Sequence, residues 1–213
     1  MIQFQIRIKY GIDRLVALFL TVLLTPILLL IGVVIRAVDG RPVFFRQTRS
    51  GLAGRPFRLW KFRTMLIDAD ELLDQSGSPT TNRLSKTGRL LRATSLDELP
   101  NLFNIFMGQM SFVGPRPTLP EQTKLYTHEQ RGRLRMKPGI TGLAQVSGRN
   151  TLPWSRRIEL DNQYINTYSL LSDVRIMAKT VAVVLGRKGI VMDRNPNHTM
   201  DLDTKAAYKD DRA

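Results

Sequence analysis

The stretch from Leu15 to Ile35, LVALFLTVLLTPILLLIGVVI, carries no charged residue. At about 1.5 Å per residue it is long enough to cross a hydrocarbon core of roughly 30 Å. No other feature restricts the fold so strongly, because so apolar a run must find lipid or a large interior. A cleaved leader is not indicated. No small-residue cleavage site follows, and the run passes directly into Arg36-Ala37-Val38-Asp39-Gly40-Arg41.

Two details argue against a simple crossing. Pro26 lies near the middle, where it removes a backbone hydrogen bond and kinks a helix. Thr25 beside it offers a hydroxyl to a freed carbonyl, which makes a break tolerable in lipid. Both flanks are also basic, with Arg7, Lys9 and Arg14 before the run and Arg36, Arg41, Arg46 and Arg49 after it. Basic flanks favour the cytoplasmic face. The expectation is a helix that enters the membrane, breaks at Thr25-Pro26 and returns, with an ordinary kinked transmembrane helix as the alternative.

Charge narrows the partners. The chain has 213 residues, with 32 Lys and Arg against 18 Asp and Glu, a net charge of +14. Such an excess favours nucleic acid, anionic lipid headgroups or phosphorylated substrates. Cysteine is absent and the only histidines are His128 and His198. Disulfides and thiolate zinc sites are excluded, and histidine-based chemistry is disfavoured. A reaction here rests on carboxylates, arginines and a hard cation.

The rest of the chain reads as mainly helical with a small β-hairpin. Pro42 to Gln47 and Pro56 to Arg63 are aromatic-rich and flank the glycine-bearing Ser50-Gly51-Leu52-Ala53-Gly54-Arg55, the pattern of two short strands and a turn. Leu66 to Leu73 is expected to be helical and Ser76 to Ser85 a loop. Leu99 to Met110 is apolar nearly all round, which suits either a core or partial immersion at a lipid interface. Lys137 to Asn150 reads as a structured loop. Trp154, Ile158, Asp161, Ile165 and Tyr168 follow helical spacing. Asp173 is the expected N-cap of a last helix that stops at Gly186.

No glycine-rich nucleotide cradle is present, so phosphates would be held by arginine and lysine. Asp97 and Glu98 admit two readings. Ser95 and Glu98 have capping-box spacing, with Asp97 favoured by the helix dipole. The same helix start is a natural anion site. There an ionised carboxylate can attack phosphorus while its neighbour binds a divalent cation. Arg116 lies between Pro115 and Pro117, which pre-organises its guanidinium for bidentate phosphate contact. Lys61, Arg63, Arg92 and Arg149, taken singly, read as solvated surface charges.

Together these blocks resemble the bacterial sugar transferases, the monotopic polyprenyl-phosphate phosphoglycosyl transferases that start glycan assembly on a lipid carrier. The matching pieces are Pro42 to Gln47, Lys61-Phe62-Arg63-Thr64-Met65, Ser95 to Leu102, Ser111 to Pro117 and Lys137 to Asn150. They cover roughly residues 5 to 190 in the expected order. The resemblance implies the small class, essentially a catalytic domain alone, at the cytoplasmic face of a bacterial inner membrane. The parts would be a re-entrant membrane helix over 1–40, a catalytic domain over 41–195 and a polar tail over 196–213. The family's helix breaks at Ser-Pro, and Thr25-Pro26 is a mild departure.

By the same likeness Asp97 would be the nucleophile on the sugar-bearing phosphate of a UDP-sugar, releasing UMP. Glu98, with Asp97, would help hold Mg²⁺. Undecaprenyl phosphate would then take the phosphosugar from Asp97. Lys61, Arg92, Arg116 and Arg149 fall on matching basic positions and, with Arg63 of the hairpin, form the expected phosphate-binding set. Anionic lipid headgroups are expected partners and nucleic acid is not. A homodimer is left open, as is the sugar, whether an acetamido sugar or a hexose. The rival readings are an inactive membrane adaptor of the same fold and a membrane-tethered nucleic-acid binder, which would lack a recognisable recognition module.

Overall fold

The computed structural model describes residues 2–67, 69, 83–148 and 152–186. The helix expected over Leu66 to Leu73 and the loop over Ser76 to Ser85 lie mostly outside the described residues, as do Arg149 and the tail over 196–213. Of these segments, Leu66, Ile67 and Ala69 are not helical, and Met65 bridges to Leu84.

Helix α1 runs from Ile2 to Val38 and is continuous through Pro26, so the expected break does not end it. Thr25 Oγ1 donates to Thr21 O at 2.7 Å. That carbonyl lies four residues before Thr25, not before Pro26, so the hydroxyl does not serve the acceptor that the proline leaves.

One stripe of α1 packs on the rest of the protein along most of its length. Ile6 meets the cluster of Val113, Met136 and Tyr164. Ala17, Leu20 and Leu24 meet Phe57, Leu59 and Ile105. Leu28, Ile31 and Ile35 meet Phe62 and Leu91. These spacings of three and four residues are those of one helical face. The opposite face, with Leu15, Phe19, Val22, Leu29 and Val33, is exposed and apolar. Within the stripe Lys9 and Asp13 are buried. Lys9 Nζ lies 2.7 Å from Asp173 Oδ2 and 3.5 Å from Asp13 Oδ2. Ser111 Oγ donates to Asp13 and the Tyr164 hydroxyl donates to Asp173 Oδ1.

The expected hairpin is present. β1 (Phe44–Ser50) pairs antiparallel with β2 (Pro56–Phe62), in register from Phe44 opposite Phe62 to Ser50 opposite Pro56. Between them the chain turns at Ala53 and Gly54, both at positive φ. The outer edge of β2 is closed by one side chain. Asn104 accepts from Trp60 N at 3.0 Å and donates to Arg58 O at 2.7 Å, which are the two bonds a neighbouring strand would supply.

That asparagine sits on α3 (Asn101–Phe106), which follows α2 (Lys86–Thr94). Leu102 and Ile105 of α3, with Met110, join the core, while Phe103 and Phe106 are 46% and 42% exposed and Met107 63%. The core reading holds for one side of this segment, and the other side is exposed and apolar.

A second pair, parallel, was not expected from sequence. β3 (Ser111–Val113) aligns with β4 (Gly139–Thr141), Ser111 opposite Gly139 and Val113 opposite Thr141. A Cβ on Gly139 would lie 2.1 Å from Gly114 N, so the backbones approach this closely only because glycine is there. The segment read as a structured loop thus contributes a strand and α5 (Leu143–Ser147). Short α4 (Pro120–Lys124) precedes it, and α6 (Trp154–Asn166) and α7 (Leu170–Leu185) complete the order. The N-cap of α7 is Ser169, whose side chain accepts from Ser172 N, and Gly186 ends the helix. Asp173 is instead turned inward to Lys9, a partner far away in sequence.

Candidate active site

Asp97 and Glu98 lie in the joint between α2 and α3. Ser95 takes a left-handed conformation (φ 59°) and its N–H bonds back to Arg92 O and Leu91 O, closing α2. The chain then makes a single tight turn over Leu96–Glu98 before α3. The capping box does not form. Ser95 gives no side-chain cap, and the Glu98 carboxylate points elsewhere. The serine-to-glutamate spacing serves here to reverse the chain and bury Asp97.

The two neighbours are held in opposite states. Glu98 Oε1 accepts from Lys61 Nζ at 2.5 Å and from Arg116 Nη2 at 3.1 Å. Burial would raise its pKa, but these two cations outweigh it and hold the carboxyl well below its usual range. Burial pushes the Asp97 carboxyl up, and the opposing charges of Lys61, Arg92 and Arg116 do not fully offset that. The helix start does not, therefore, simply keep both carboxylates ionised. Environments that push neighbouring titratable groups apart assign them different chemical roles.

The surrounding cations come from three places. Lys61 projects from β2, opposite Phe45. Arg92 comes from the last turn of α2, its Nε donating to Thr64 Oγ1 at 3.0 Å, and its charge acts on Asp97. Arg116 sits in the Pro-Arg-Pro turn, and its carbonyl accepts from Arg133 Nη2 at 3.0 Å. Arg133 is itself fixed by Asp161 at 2.5 Å and by the Tyr126 hydroxyl at 2.7 Å. A buried ion pair thus anchors the turn that aims Arg116.

The structure does not bring Arg63 to the dyad. Its guanidinium donates to the carbonyls of Asp39, Gly40 and Arg41, where it satisfies the chain leaving α1. Arg149 lies outside the described residues, and Thr25 and Pro26 are on α1.

Two polar residues that sequence reading left out of the site line the same concavity as Lys61, Glu98 and Arg116. They are Arg49 and Asn101. Arg49 Nη2 donates to Gln47 Oε1 at 2.6 Å, while its Nε is buried without a partner. Asn101 Oδ1 is also buried without a partner. Arg49 was legible in principle. Once the hairpin register is set, Phe45, Gln47 and Arg49 share a face with Lys61, Leu59 and Phe57.

No group of three or more His, Cys, Asp or Glu side chains is gathered among the described residues. The oxygen donors present still suit a hard cation. Asp97 is adjacent, both cations bond Glu98 through Oε1 and leave Oε2, and Asn101 Oδ1 is unpartnered. Mg²⁺ is commonly held by one or two carboxylates with substrate phosphates completing its shell.

Comparison with known proteins gives concordant matches. The family model described as bacterial sugar transferase matches residues 4–187. The chain is 46% identical over 185 residues to the uncharacterized sugar transferase EpsL of Bacillus subtilis, covering 86% of this chain and 90% of that protein. It is 37% identical over 196 residues to the exopolysaccharide production protein ExoY of Rhizobium meliloti, covering 85% and 87%. It is 41% identical over 185 residues to the UDP-glucose:undecaprenyl-phosphate glucose-1-phosphate transferase of Caulobacter vibrioides, covering 83% and 69%.

Proposed function

The chain belongs to the bacterial sugar transferase family, and on that footing we propose that it moves a sugar 1-phosphate from a UDP-sugar to undecaprenyl phosphate. UMP is released, and the product enters glycan assembly at the cytoplasmic face of a bacterial inner membrane. The observation that carries this reading is the buried Asp97 beside a Glu98 held ionised by Lys61 and Arg116.

An Asp97 oxygen attacks the sugar-bearing phosphorus, and the bond from that phosphorus to the bridging oxygen of UMP breaks. The result is a phosphosugar on the aspartate. An oxygen of undecaprenyl phosphate then attacks the same phosphorus and the carboxylate departs, which regenerates Asp97 and yields the lipid diphosphate sugar. Lys61 and Arg116 neutralise the phosphoryl oxygens, and Arg92 favours the ionised form of Asp97. Mg²⁺, held by Asp97, Glu98 and Asn101 Oδ1, would supply additional neutralisation of diphosphate charge.

The packing of α1 supports a one-sided placement at the membrane. Ile6 and Lys9 near one end and Ile35 near the other contact the same protein body, while the far face of the helix is apolar. We read α1 as held in the cytoplasmic leaflet with both of its ends on the cytoplasmic side.

The test is UMP release by protein in nanodiscs with undecaprenyl phosphate, Mg²⁺ and a panel of UDP-sugars. Release with at least one sugar that Asp97→Asn abolishes is the expected result. A folded protein that is silent across the panel, or an Asp97→Asn variant that still turns over, overturns the reading.

A further inference from the structure

Arg49 is costly as a purely structural residue. Its guanidinium is part-buried and, among the described residues, one nitrogen has no partner and the only side-chain bond is to the neutral amide of Gln47. No carboxylate lies within ion-pair distance of it among the described residues. Burial and the charge of Arg116 bring its pKa down to about 10. The one carboxylate lining the cavity, Glu98, is already shared by Lys61 and Arg116, so the charge of Arg116 still opposes Arg49, and a buried cation with an unbonded donor opposes folding. A dianion would relieve both penalties, through charge-assisted bonds to a planar fork suited to phosphate.

The charges around the cavity act on one another. Asp97 responds to Lys61, Glu98, Arg92 and Arg116. Arg49 responds to Arg116, Glu98 and Glu121. Arg49 and Arg116 line one concavity together with Lys61 and Glu98, and Asp97 is not among the residues that line it.

We infer that Arg49 and Arg116 form a subsite for a phosphate monoester dianion, on the side of the attacked phosphorus opposite Asp97. The inference rests on the proposed reaction and deepens it. Attacking and leaving oxygens lie roughly in line in phosphoryl transfer. UMP therefore departs opposite Asp97 in the first step. In the second step Asp97 is the leaving group, so the lipid phosphate enters from that same side. One subsite holds both phosphate monoesters in turn, and UMP competes with undecaprenyl phosphate for it.

The experiment measures binding of UMP, uridine, phenyl phosphate and a short-chain polyprenyl phosphate to nanodisc-embedded wild type and Arg49→Met, together with thermal midpoints. Arg49→Met should weaken all three phosphate monoesters by tenfold or more and leave uridine unchanged. Without ligand its midpoint should hold or rise, because an unpaired buried charge is removed, whereas a structural arginine would give a fall. Arg49→Gln serves if Arg49→Met does not fold. Unchanged UMP affinity in a folded variant, or equal weakening of UMP and uridine, overturns the subsite while leaving the proposed reaction standing. Phenyl phosphate binding that depends on Arg49, with no UMP release from any UDP-sugar, would support the subsite and overturn the reaction.

Discussion

Lys9 and Asp173, 164 residues apart in the chain, meet at 2.7 Å in the interior and join the first helix to the last. Asp13, Ser111 and Tyr164 complete the network, so one buried cation faces two carboxylates whose remaining bonds come from hydroxyls. Removing one member of a buried ion pair strands the other and costs about 3–5 kcal/mol. Lys9→Met should lose that much in denaturant unfolding in detergent. Adding Asp173→Asn, which keeps an acceptor for Tyr164, should restore at least half. A single variant as stable as wild type would remove the pair from any role in holding α1.

Proton release from Asp97 sets the acid side of activity. Burial raises its pKa, so UMP release should climb with pH on a limb above the ordinary carboxylate range. Lys61→Met removes the strongest opposing charge and should move that limb higher still. The folded chain holds this proton more tightly than the unfolded chain. The site's contribution to stability therefore falls as pH rises from the ordinary aspartate value through the raised one. Above that interval Asp97→Asn should unfold at the same or a higher temperature than wild type. A limb that stays in place in Lys61→Met would contradict the assigned electrostatics.

Glu98 behaves oppositely. Its lowered pKa contributes stability that is present above the ordinary glutamate value and lost only as pH falls through the folded one. Glu98→Gln replaces a part-buried carboxylate shared by Lys61 and Arg116, which should cost about 1–3 kcal/mol. Residual turnover should lose its response to Mg²⁺, and an unaltered Mg²⁺ titration would argue against Glu98 as a ligand.

Gly88 fixes where Arg92 stands. A Cβ there would lie 2.0 Å from Thr64 O, in the backbone of the residue whose hydroxyl accepts from Arg92. Gly88→Ala should push α2 outward, with a loss of about 1–3 kcal/mol typical of overpacking and at least a tenfold fall in kcat. Normal turnover in this variant would show that Arg92 needs no such seat.

Because the chain has no cysteine, single cysteines report topology directly. Phe4 and Val38 are both exposed. Phe4→Cys and Val38→Cys should each react with a membrane-impermeant maleimide from the cytoplasmic side only. Labelling of the two from opposite sides would mean that α1 spans the bilayer.

The hairpin was legible because a glycine-bearing turn separates two aromatic runs, and α6 because its buried positions keep a helical period. Of the two readings of Ser95 to Glu98 the capping box fails, because the serine-to-glutamate spacing is the same whether serine starts a helix or ends one in the left-handed region. Asp173 looked like a cap because its partner, Lys9, is invisible to any local pattern. Arg63 looked like Lys61 in the run Lys61-Phe62-Arg63, yet β2 ends at Phe62 and Arg63, one residue past it, donates to the carbonyls after α1, partners more than twenty residues away. The closing of β2 by Asn104 is equally nonlocal, since it joins residues 44 and 46 positions apart.

Helix α3 works as a depth gauge on the proposed reaction. It spans 6 residues, Asn101–Phe106, about 9 Å of rise, begins three positions after Glu98, and carries Phe103 and Phe106 on its exposed side with Met107 just beyond. With that side in the headgroup layer, Asp97 stands a fixed short height above the acyl chains. Each methylene drawn from lipid into water costs about 0.8 kcal/mol, so a taller mount would tax every turnover. At this height a polyprenyl phosphate can present its head to the aspartate while its isoprene units stay dissolved among their neighbours. The enzyme would meet its acceptor by lateral diffusion in two dimensions, with no extraction step.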